Sequence, residues 1–404
     1  MKNKNIEELL QKGVLKPASE LKLTYPRKSI SLKKIFPEGE FIEIKSKELF
    51  VVKKEIPVEE RIGNIALQKL YFFNQNFFPE IKLDKLNSEE LIFVDFETTG
   101  SSSFKNFIFL AGTGFFQNEK FVIIQYFCED YYSELALIEQ LIRIFKKYKY
   151  IVTFNGKSFD WVVFKHRLII NHREEEIPNE NEIIDILRIY RRFYGSSLFS
   201  YNLQYIETKF LNYIRNEPEI EKAGGIPEIY LRFIRRINYE DLKKVFIHNF
   251  NDVIVLPALL SVILEKIEKI RRNEYEVEFD LYSIAEIYRD EPDKYISILE
   301  GNFYKEGDLN TFKKLVKLYK KEKRYEQLKE LLIKGITDPV ISKDYTVYKE
   351  LMIYSNKVEK NREEINNIIN KAKRNIKYFK EKEIDDLIKR EEKVKRSRKW
   401  EKKV

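Results

Sequence analysis

The chain has 404 residues, of which 43% are hydrophobic and 14% aromatic, so it can bury a substantial core and is not a wholly disordered protein. Its single cysteine excludes a disulfide framework or a cysteine-based zinc site within one chain. The longest apolar run, "VIVLPALLSVIL" (253–264), is too short to span a bilayer. We therefore predict a cytoplasmic protein that does not act in a membrane.

The net charge of +9 is concentrated at one end of the chain. Residues 361–404 carry 16 Lys and Arg against 9 Asp and Glu, so this segment supplies +7 of the total. Such a tail favours binding to nucleic acid or to another acidic surface. A solvated helix with a frayed end would have the same composition, and the charge alone leaves both readings open.

Residues 1–87 form a predicted N-terminal lead-in. Alternation of apolar and polar residues in "GEFIEIKSKELFVVKKEIP" (39–57) predicts a β-hairpin. The stretch "RIGNIALQKLYFFNQ" (61–75) has a more helical pattern, and "DKLNSEE" interrupts it.

Residues 88–272 have the pattern of a mixed α/β domain. Three segments rich in Val, Ile and Phe follow one another with short turns and predict an antiparallel meander: "LIFVDFE", "NFIFLAGTGFF" and "KFVIIQYFCED". A helix, the further strand "YIVTFNG" and several helices come next. Residues 273–404 are almost entirely helical in pattern, which predicts a helical-hairpin extension with a basic tail.

The first candidate site residues are Asp95 and Glu97, at the end of "LIFVDFE". In a strand, residues i and i+2 point to the same face, so the two carboxylates lie side by side. The four apolar residues before them indicate a buried strand. Burying two carboxylates is unfavourable without a cation, so we expect a ligand site here.

Two further elements carry acids with a similar problem. Asp160 opens the helix after "TFNGKSF", a position that the helix dipole also favours by itself. In "HNFND", His248 and Asp252 are four residues apart and share one helix face. Asp252 stands directly before the apolar run at 253–264, where an acid needs a partner.

Taken together, Asp95, Glu97, Asp160 and Asp252 form an oxygen-rich set that suits two Mg²⁺ or Mn²⁺ ions. Such ion pairs stabilise the attacking and leaving oxygens of a phosphodiester. A histidine with a pKa near 6.5 can accept a proton from water at neutral pH, which gives His248 a catalytic role.

These motifs, in this order and at these distances, resemble those of the DEDD (DnaQ-like) 3′–5′ exonucleases of the RNase H-like superfamily. The likeness is closer to the YprB-type RNase H-like domain, to which "IIDILRIYRR", "SYNLQYIE" and "GIPEIYLRFIR" are also similar. It covers about residues 35–268. It implies a five-stranded mixed sheet flanked by helices and a two-metal 3′–5′ exonuclease.

The resemblance implies that Asp95, Glu97, Asp160 and Asp252 are the four metal-binding acids and that His248 is the general base. Members with a histidine base place it five residues before the last acid, and members with tyrosine place it four before. Here the spacing is four, so His248 occupies the tyrosine position. Contact with phosphate is the alternative role for His248.

Other polar residues around these motifs are candidates for substrate binding. Asn155, Lys157 and Ser158 follow a predicted strand in "FNGKS", and Thr98 follows the first pair of acids. Asp185 in "IIDIL" is another buried-pattern acid, for which we expect a bond to the neighbouring backbone or to Arg188.

The sequence thus predicts a metal-dependent nuclease acting on the 3′ end of single-stranded DNA or RNA. DNA cannot be told from RNA here, nor exonuclease from endonuclease action. The alternative is a catalytically weak nucleic-acid-binding or scaffold protein that binds a protein partner through its extension. One segment of that extension, "KRYEQLKELLIKG", is slightly similar to a tetratricopeptide (TPR) hairpin.

Overall fold

The computed structural model describes residues 32–78, 83–100, 106–179, 182–220, 225–235 and 239–401. The chain divides into two compact units, Met1–Glu278 and Phe279–Val404. Among the described residues, no helix combines the length and the apolar character that crossing a membrane requires. The lead-in before residue 32 lies outside the described residues.

The main sheet lies in the first unit, and in the described part of the chain it has seven strands in the order β1-β2-β9-β8-β7-β10-β11. Four short strands form two small separate sheets, β3-β4 and β5-β6. The strands are β1 (Glu40–Ile44), β2 (Lys47–Pro57), β3 (Arg61–Ile62), β4 (Ile65–Ala66), β5 (Asn74–Phe78), β6 (Leu83–Asn87), β7 (Leu91–Thr98), β8 (Ile108–Gln117), β9 (Lys120–Phe127), β10 (Tyr150–Thr153) and β11 (Ile183–Asp185).

The sheet is mixed, as predicted. Strands β1, β2, β9, β8 and β7 pair antiparallel in turn, and β10 and β11 continue from β7 in parallel. The expected number of five strands is corrected to seven, because the hairpin β1-β2 joins the sheet through β9. Phe50 of β2 faces Phe127 of β9, and both side chains are fully buried.

Helices cover the sheet in the first unit. They are α1 (Leu32–Ile35), α2 (Gln68–Tyr71), α3 (Glu134–Lys147), α4 (Asp160–Ile170), α5 (Ile186–Tyr194), α6 (Leu203–Leu211), α7 (Gly225–Ile234) and α8 (Leu242–Arg271). The helix expected over residues 61–75 is reduced to the single turn α2, because the flanking residues pair as short strands.

Helix α8 matters most for the site. It packs on β7, β8 and β9, and its apolar run 253–260 is buried along its whole length. This apolar run, which was expected to be buried, thus lies against the centre of the sheet. The acid before it, Asp252, is thereby held next to the acids of β7.

The second unit is all helical in its described residues, as predicted for the extension. Its helices are α9 (Leu281–Ala285), α10 (Pro292–Glu306), α11 (Leu309–Lys321), α12 (Tyr325–Thr337), α13 (Tyr345–Tyr354), α14 (Arg362–Arg374) and α15 (Glu381–Glu401). Successive helices from α10 to α15 pack on one another, and α11 to α14 each bury several apolar side chains. The likeness to a TPR hairpin stays a prediction.

Candidate active site

The structure brings the four predicted acids together at one end of the sheet. Asp95 and Glu97 lie on β7, Asp160 is the first residue of α4, and Asp252 lies in α8. Burial raises the pKa of Asp95 well above its usual range, and the charges of Asp252, Glu97 and Asp160 raise it further. We call these four residues the carboxylate cluster.

The other members respond to the same charges. Burial raises the pKa of Glu97 well above its usual range, and Asp252 and Asp160 add to the effect. Burial also raises the pKa of Asp160, to about 7, although a hydrogen bond from the Phe96 backbone opposes the shift. The cluster therefore holds more negative charge than its surroundings neutralise.

Asp95 is held in place by an amide on the facing helix. Asn249 of α8 donates from Nδ2 to Asp95 Oδ2 over 2.9 Å and to the Asp95 carbonyl over 3.2 Å. Its Oδ1 accepts a hydrogen bond of 2.9 Å from Gln125 of β9. Gln125 and Asn249 are both buried, so this chain of amides fixes the direction of the Asp95 carboxylate.

Glycines in β8 let the helix approach the sheet this closely. Gly112 lies opposite Asp95 in the strand register. A Cβ atom on Gly112 would overlap the Asn249 amide and lie 2.8 Å from Val253. A Cβ on Gly114 would lie 2.8 Å from Val253 as well. The sequence "GTG" thus serves helix packing, consistent with its being too short for a phosphate loop.

Asp160 is presented by a loop that a second buried acid organises. Asp185, at the end of β11, accepts hydrogen bonds from the backbone N–H of Asn155 at 3.0 Å and of Lys157 at 3.2 Å. Asn155 has a φ of 64°, a left-handed conformation that such bonds help to hold. Asp185 also pairs with Arg188 at 3.5 Å, so both bonds expected for it are present.

Asp252 has a permanent cationic partner. The side chain of Arg215 is only 5% exposed and lies 2.5 Å from Asp252, measured from Nη1 to Oδ1. The same guanidinium binds both carboxylate oxygens of the buried Glu207, at 2.8 and 2.5 Å. These carboxylates raise the pKa of Arg215 despite its burial, so Arg215 stays charged.

His248 lies between two acids. Its Nδ1 is 3.3 Å from Glu217 Oε1 and its Nε2 is 3.6 Å from Asp252 Oδ2. Asn251 donates to the other oxygen of Glu217 over 2.8 Å. Burial raises the pKa of Glu217, but this hydrogen bond and the charge of Arg215 outweigh burial, and the pKa falls. Glu217 therefore stays ionised and holds one ring nitrogen of His248.

The residues predicted to contact substrate have different surroundings. Asn155 lies on the wall of the cleft described below. Thr98 is buried and donates its hydroxyl to the Gly100 carbonyl over 2.9 Å. Ser158 is exposed and accepts a hydrogen bond of 3.4 Å from Arg188, while Lys157 is half-buried. His166 is buried in α4.

A cleft of about 460 Å³ opens beside the carboxylate cluster. This volume is within the range of small-molecule sites in proteins. Two of the four acids form part of its wall, together with one arginine and several aromatic, amide and leucine side chains. The cleft is lined by Asp95, Phe154, Asn155, Leu187, Arg191, Tyr201, Asn202, Leu203 and Asp252.

The donor set of the cluster fits a hard divalent cation. Among the described residues, no group of three or more His, Cys, Asp or Glu side chains is arranged so that it could hold a metal ion. Asp252 points one oxygen at Arg215, and Asp95 accepts from Asn249, which accounts for that arrangement. All four ligand candidates are nonetheless carboxylates that repel one another, and oxygen ligands of this kind suit Mg²⁺ or Mn²⁺.

Comparison with known proteins places this geometry in a family. Residues 92–264 match the family model of the RNase_H superfamily. The chain is also 28% identical over 287 residues to the Uncharacterized protein YprB of Bacillus subtilis (strain 168), an alignment that covers 68% of each chain. Residues 92–264 are an RNase H-like domain of the YprB type. This is a nuclease-type fold.

The RNase H-like domain includes all members of the carboxylate cluster. It also includes four site residues that sequence reasoning did not select: Asn249, Arg215, Glu217 and Glu207. Asn249 stood inside the quoted motif "HNFND", but an uncharged amide gave no electrostatic reason to choose it. Arg215 and Glu217 lie in the irregular segment 212–220, where no periodicity indicated which side chains turn inward.

Proposed function

We propose that the RNase H-like domain is a metal-dependent nuclease that hydrolyses phosphodiester bonds of DNA or RNA, acting as a 3′–5′ exonuclease. The observation that carries the proposal is the convergence of four acids at the edge of an open cleft, where their charges and burial raise the pKa values of Asp95, Glu97 and Asp160. A site with this charge is unfavourable unless it binds cations. The nuclease-type fold of residues 92–264 supports the same conclusion.

In this proposal Asp95, Glu97, Asp160 and Asp252 hold two Mg²⁺ or Mn²⁺ ions. When bound, such ions neutralise charge on the phosphate and lower the pKa of the attacking water. Asn249 keeps the Asp95 carboxylate in one orientation. Asp185 does the same for the loop that precedes Asp160.

His248 is the proposed general base. It lies beside Asp252, and the ionised Glu217 at its Nδ1 fixes the orientation of the ring. The four-residue spacing to Asp252 does not remove it from the site. Thr98, Asn155, Lys157 and Ser158 remain the proposed contacts to substrate, and contact with phosphate remains the second role open to His248.

The helical second unit is proposed to add affinity for nucleic acid through its basic end. Contacts of Lys and Arg with phosphates release counterions, so this part of the affinity falls steeply with salt. A TPR-like contact with a protein partner, and a cytoplasmic location, stay predictions.

One observation favours the second candidate function, a catalytically weak nucleic-acid-binding or scaffold protein. Arg215 occupies an oxygen of Asp252, which is one of the four ligand candidates. If that ion pair persists in the presence of metal, the ligand set is incomplete and turnover is slow.

The test incubates the full-length protein with 3′- and 5′-labelled single-stranded and duplex DNA and RNA, in Mn²⁺, Mg²⁺ or EDTA. Asp95→Asn serves as the matched control. Metal-dependent shortening from the 3′ end that Asp95→Asn abolishes is the expected result. Internal cuts would retain the nuclease and remove its exonuclease character. An intact set of substrates, with no Mn²⁺ bound in calorimetry, would overturn the proposal in favour of the scaffold.

A further inference from the structure

Arg191 is a cation that lines an acidic site. It lies in the last turn of α5, is exposed, and lines the cleft together with Asp95 and Asp252. Its guanidinium lies 5.6 Å from the centroid of the Tyr201 ring. In the part of the chain that the structure describes, no carboxylate forms an ion pair with it. Its positive charge therefore remains available to an anion from outside.

The other arginines near the site are used differently. Arg188, one turn earlier on α5, pairs with Asp185, and Arg215 binds Glu207 and Asp252. Both of these guanidinium groups hold the protein's own acids in place. Arg191 alone of the three faces the cleft with its charge uncompensated by a carboxylate.

An exposed aromatic residue lies in the loop next to Arg191. Residues 195–202 connect α5 to α6, and the loop is anchored by the Tyr201 hydroxyl, which donates to the Gly195 carbonyl over 2.6 Å. Between these anchors stands Phe199, which is 94% exposed. No other large hydrophobic side chain among the described residues has so high an exposed fraction. Full exposure of a phenylalanine is unfavourable, and a stacking partner would remove that cost.

Building on the proposed function, we infer that this cleft binds one nucleotide of a single strand, with Arg191 on a phosphate. Phe199, on the loop that contributes Tyr201 and Asn202 to the cleft wall, would stack against a base. A planar guanidinium matches two phosphate oxygens, and it offsets the repulsion between the phosphate and the cluster. Stacking on an aromatic ring accepts every base. A volume of about 460 Å³ is large enough for a single nucleotide of the strand.

The inference predicts that Arg191 supplies affinity that its neighbour does not. Arg192 is equally charged, equally exposed and next in the chain, but it does not line the cleft. Arg191→Gln and Arg192→Gln are therefore a matched pair. Phe199→Ala is matched by Phe72→Ala, since Phe72 is 68% exposed but does not belong to the loop 195–202 beside the cleft.

Binding is measured by fluorescence anisotropy with a labelled oligothymidylate of about ten nucleotides, in EDTA, in the full-length Asp95→Asn protein. This background prevents turnover and removes one repelling charge. Arg191→Gln and Phe199→Ala should each weaken binding about tenfold, within the range for a charge-assisted bond or a stacked base. Arg192→Gln and Phe72→Ala should stay within about twofold of the parent.

The salt dependence separates the two roles. Arg191→Gln should reduce the slope of log affinity against log salt by about 1, whereas Phe199→Ala should leave the slope unchanged. A duplex of the same length should bind more weakly than the single strand. Equal losses in Arg191→Gln and Arg192→Gln, or equal binding of duplex and single strand, would overturn the inference.

The same proteins without the Asp95 change separate this inference from the proposed function. Digestion of substrate with an unaltered KM in Arg191→Gln would overturn the cleft assignment and leave the nuclease standing. Binding that depends on Arg191, together with no digestion by the unmodified chain, would support the cleft and overturn the nuclease. Unchanged thermal melting of each variant confirms that the comparison is between folded proteins.

Discussion

Two of the places where the first unit buries charged side chains differ in the balance between acids and bases. Glu134 of α3 and Arg167 of α4 form an ion pair whose side chains are 1% and 6% exposed. The carboxylate cluster is no more deeply buried, but it gathers four acids, and Arg215 forms an ion pair with one of them. The difference teaches that burial of a charge does not by itself mark a site. An excess of one sign does.

Removal of Arg167 is the strongest test of the balanced region. Arg167→Ala leaves the Glu134 carboxylate buried without its partner, so the free energy of unfolding should fall by about 3–5 kcal/mol. The control is Lys146→Ala, since Lys146 pairs with Glu176 at the surface and should contribute less than about 1 kcal/mol. Both are measured by urea unfolding. A loss in Arg167→Ala as small as the control's would show that this buried pair is not held by mutual charge.

The unbalanced region should respond in the opposite sense. Asp95→Asn should lower kcat about a hundredfold or more, because a metal ligand contributes several kcal/mol to the transition state. In EDTA, however, the same variant should melt at a higher temperature, because one of the repelling charges is gone. The Asn249 hydrogen bond still finds an acceptor.

The matched control for Asp95→Asn is Glu48→Gln, an exposed acid of β2 outside the cluster. Glu48→Gln should have the same melting temperature as the parent in calorimetric scans and the same kcat in rate measurements. A lower melting temperature of Asp95→Asn in EDTA would contradict the charge excess.

Asp185 tests whether an acid outside the cluster acts through it. Asp185→Asn loses one of the acceptors that hold the backbone of Asn155 and Lys157, so the loop before Asp160 should loosen. Turnover and Mn²⁺ affinity should each fall about 10- to 100-fold, as for other residues that orient metal ligands. Arg188→Gln, which removes a half-exposed partner of Asp185, should change both less than about fivefold. Unchanged Mn²⁺ affinity in Asp185→Asn would argue against a positioning role.

The pH dependence of stability tests the sign of the charge effect at Asp160. The pKa of Asp160 is about 7 in the folded protein, above its usual value of about 4. Between these values the folded state binds more protons than the unfolded state. The free energy of unfolding of the metal-free protein should therefore fall with rising pH, by up to about 1.4 kcal/mol per pH unit for this group.

Thermal melts in EDTA from about pH 4.5 to about pH 7.5 measure this effect against Asp160→Asn. The variant should gain on the parent as the pH rises, and added Mn²⁺ should remove the difference in slope. If the difference in melting temperature between variant and parent stays constant over this range, the pKa of Asp160 is not raised in the folded protein.

The sequence predicted much of this arrangement because local patterns carried it. Acids that end a run of apolar residues, as Asp95 and Asp252 border theirs, indicate a buried charge wherever they occur. The antiparallel strands β7, β8 and β9 and the helical second unit followed from residue patterns in the same way, whereas the mixed sheet was implied by the resemblance. The resemblance indicated that the acids of these separate motifs belong to one site. No single local pattern contains that information.

The rest depended on contacts between distant parts of the chain. The hairpin β1-β2 was predicted, but its pairing with β9 joins Phe50 to Phe127, and no local pattern encodes that choice. Arg215 reaches Asp252 from an irregular segment, so its inward direction could not be read from spacing. Asn249 and Gln125 are neutral amides whose value appears only once the helix lies on the sheet.

The bare backbone of β8 at Gly112 has a consequence for how this protein can be tuned. Asn249 and Val253 occupy the space where a side chain at residue 112 would lie. The close approach of α8 to β8 therefore depends on the absence of a Cβ atom at Gly112. A larger residue at position 112 should push α8 away from β8. It would thereby move Asp252 without changing any of the four acids. Gly112→Ala and then Gly112→Ser should therefore reduce the proposed activity in steps. Such variants are useful where partial activity is wanted instead of none.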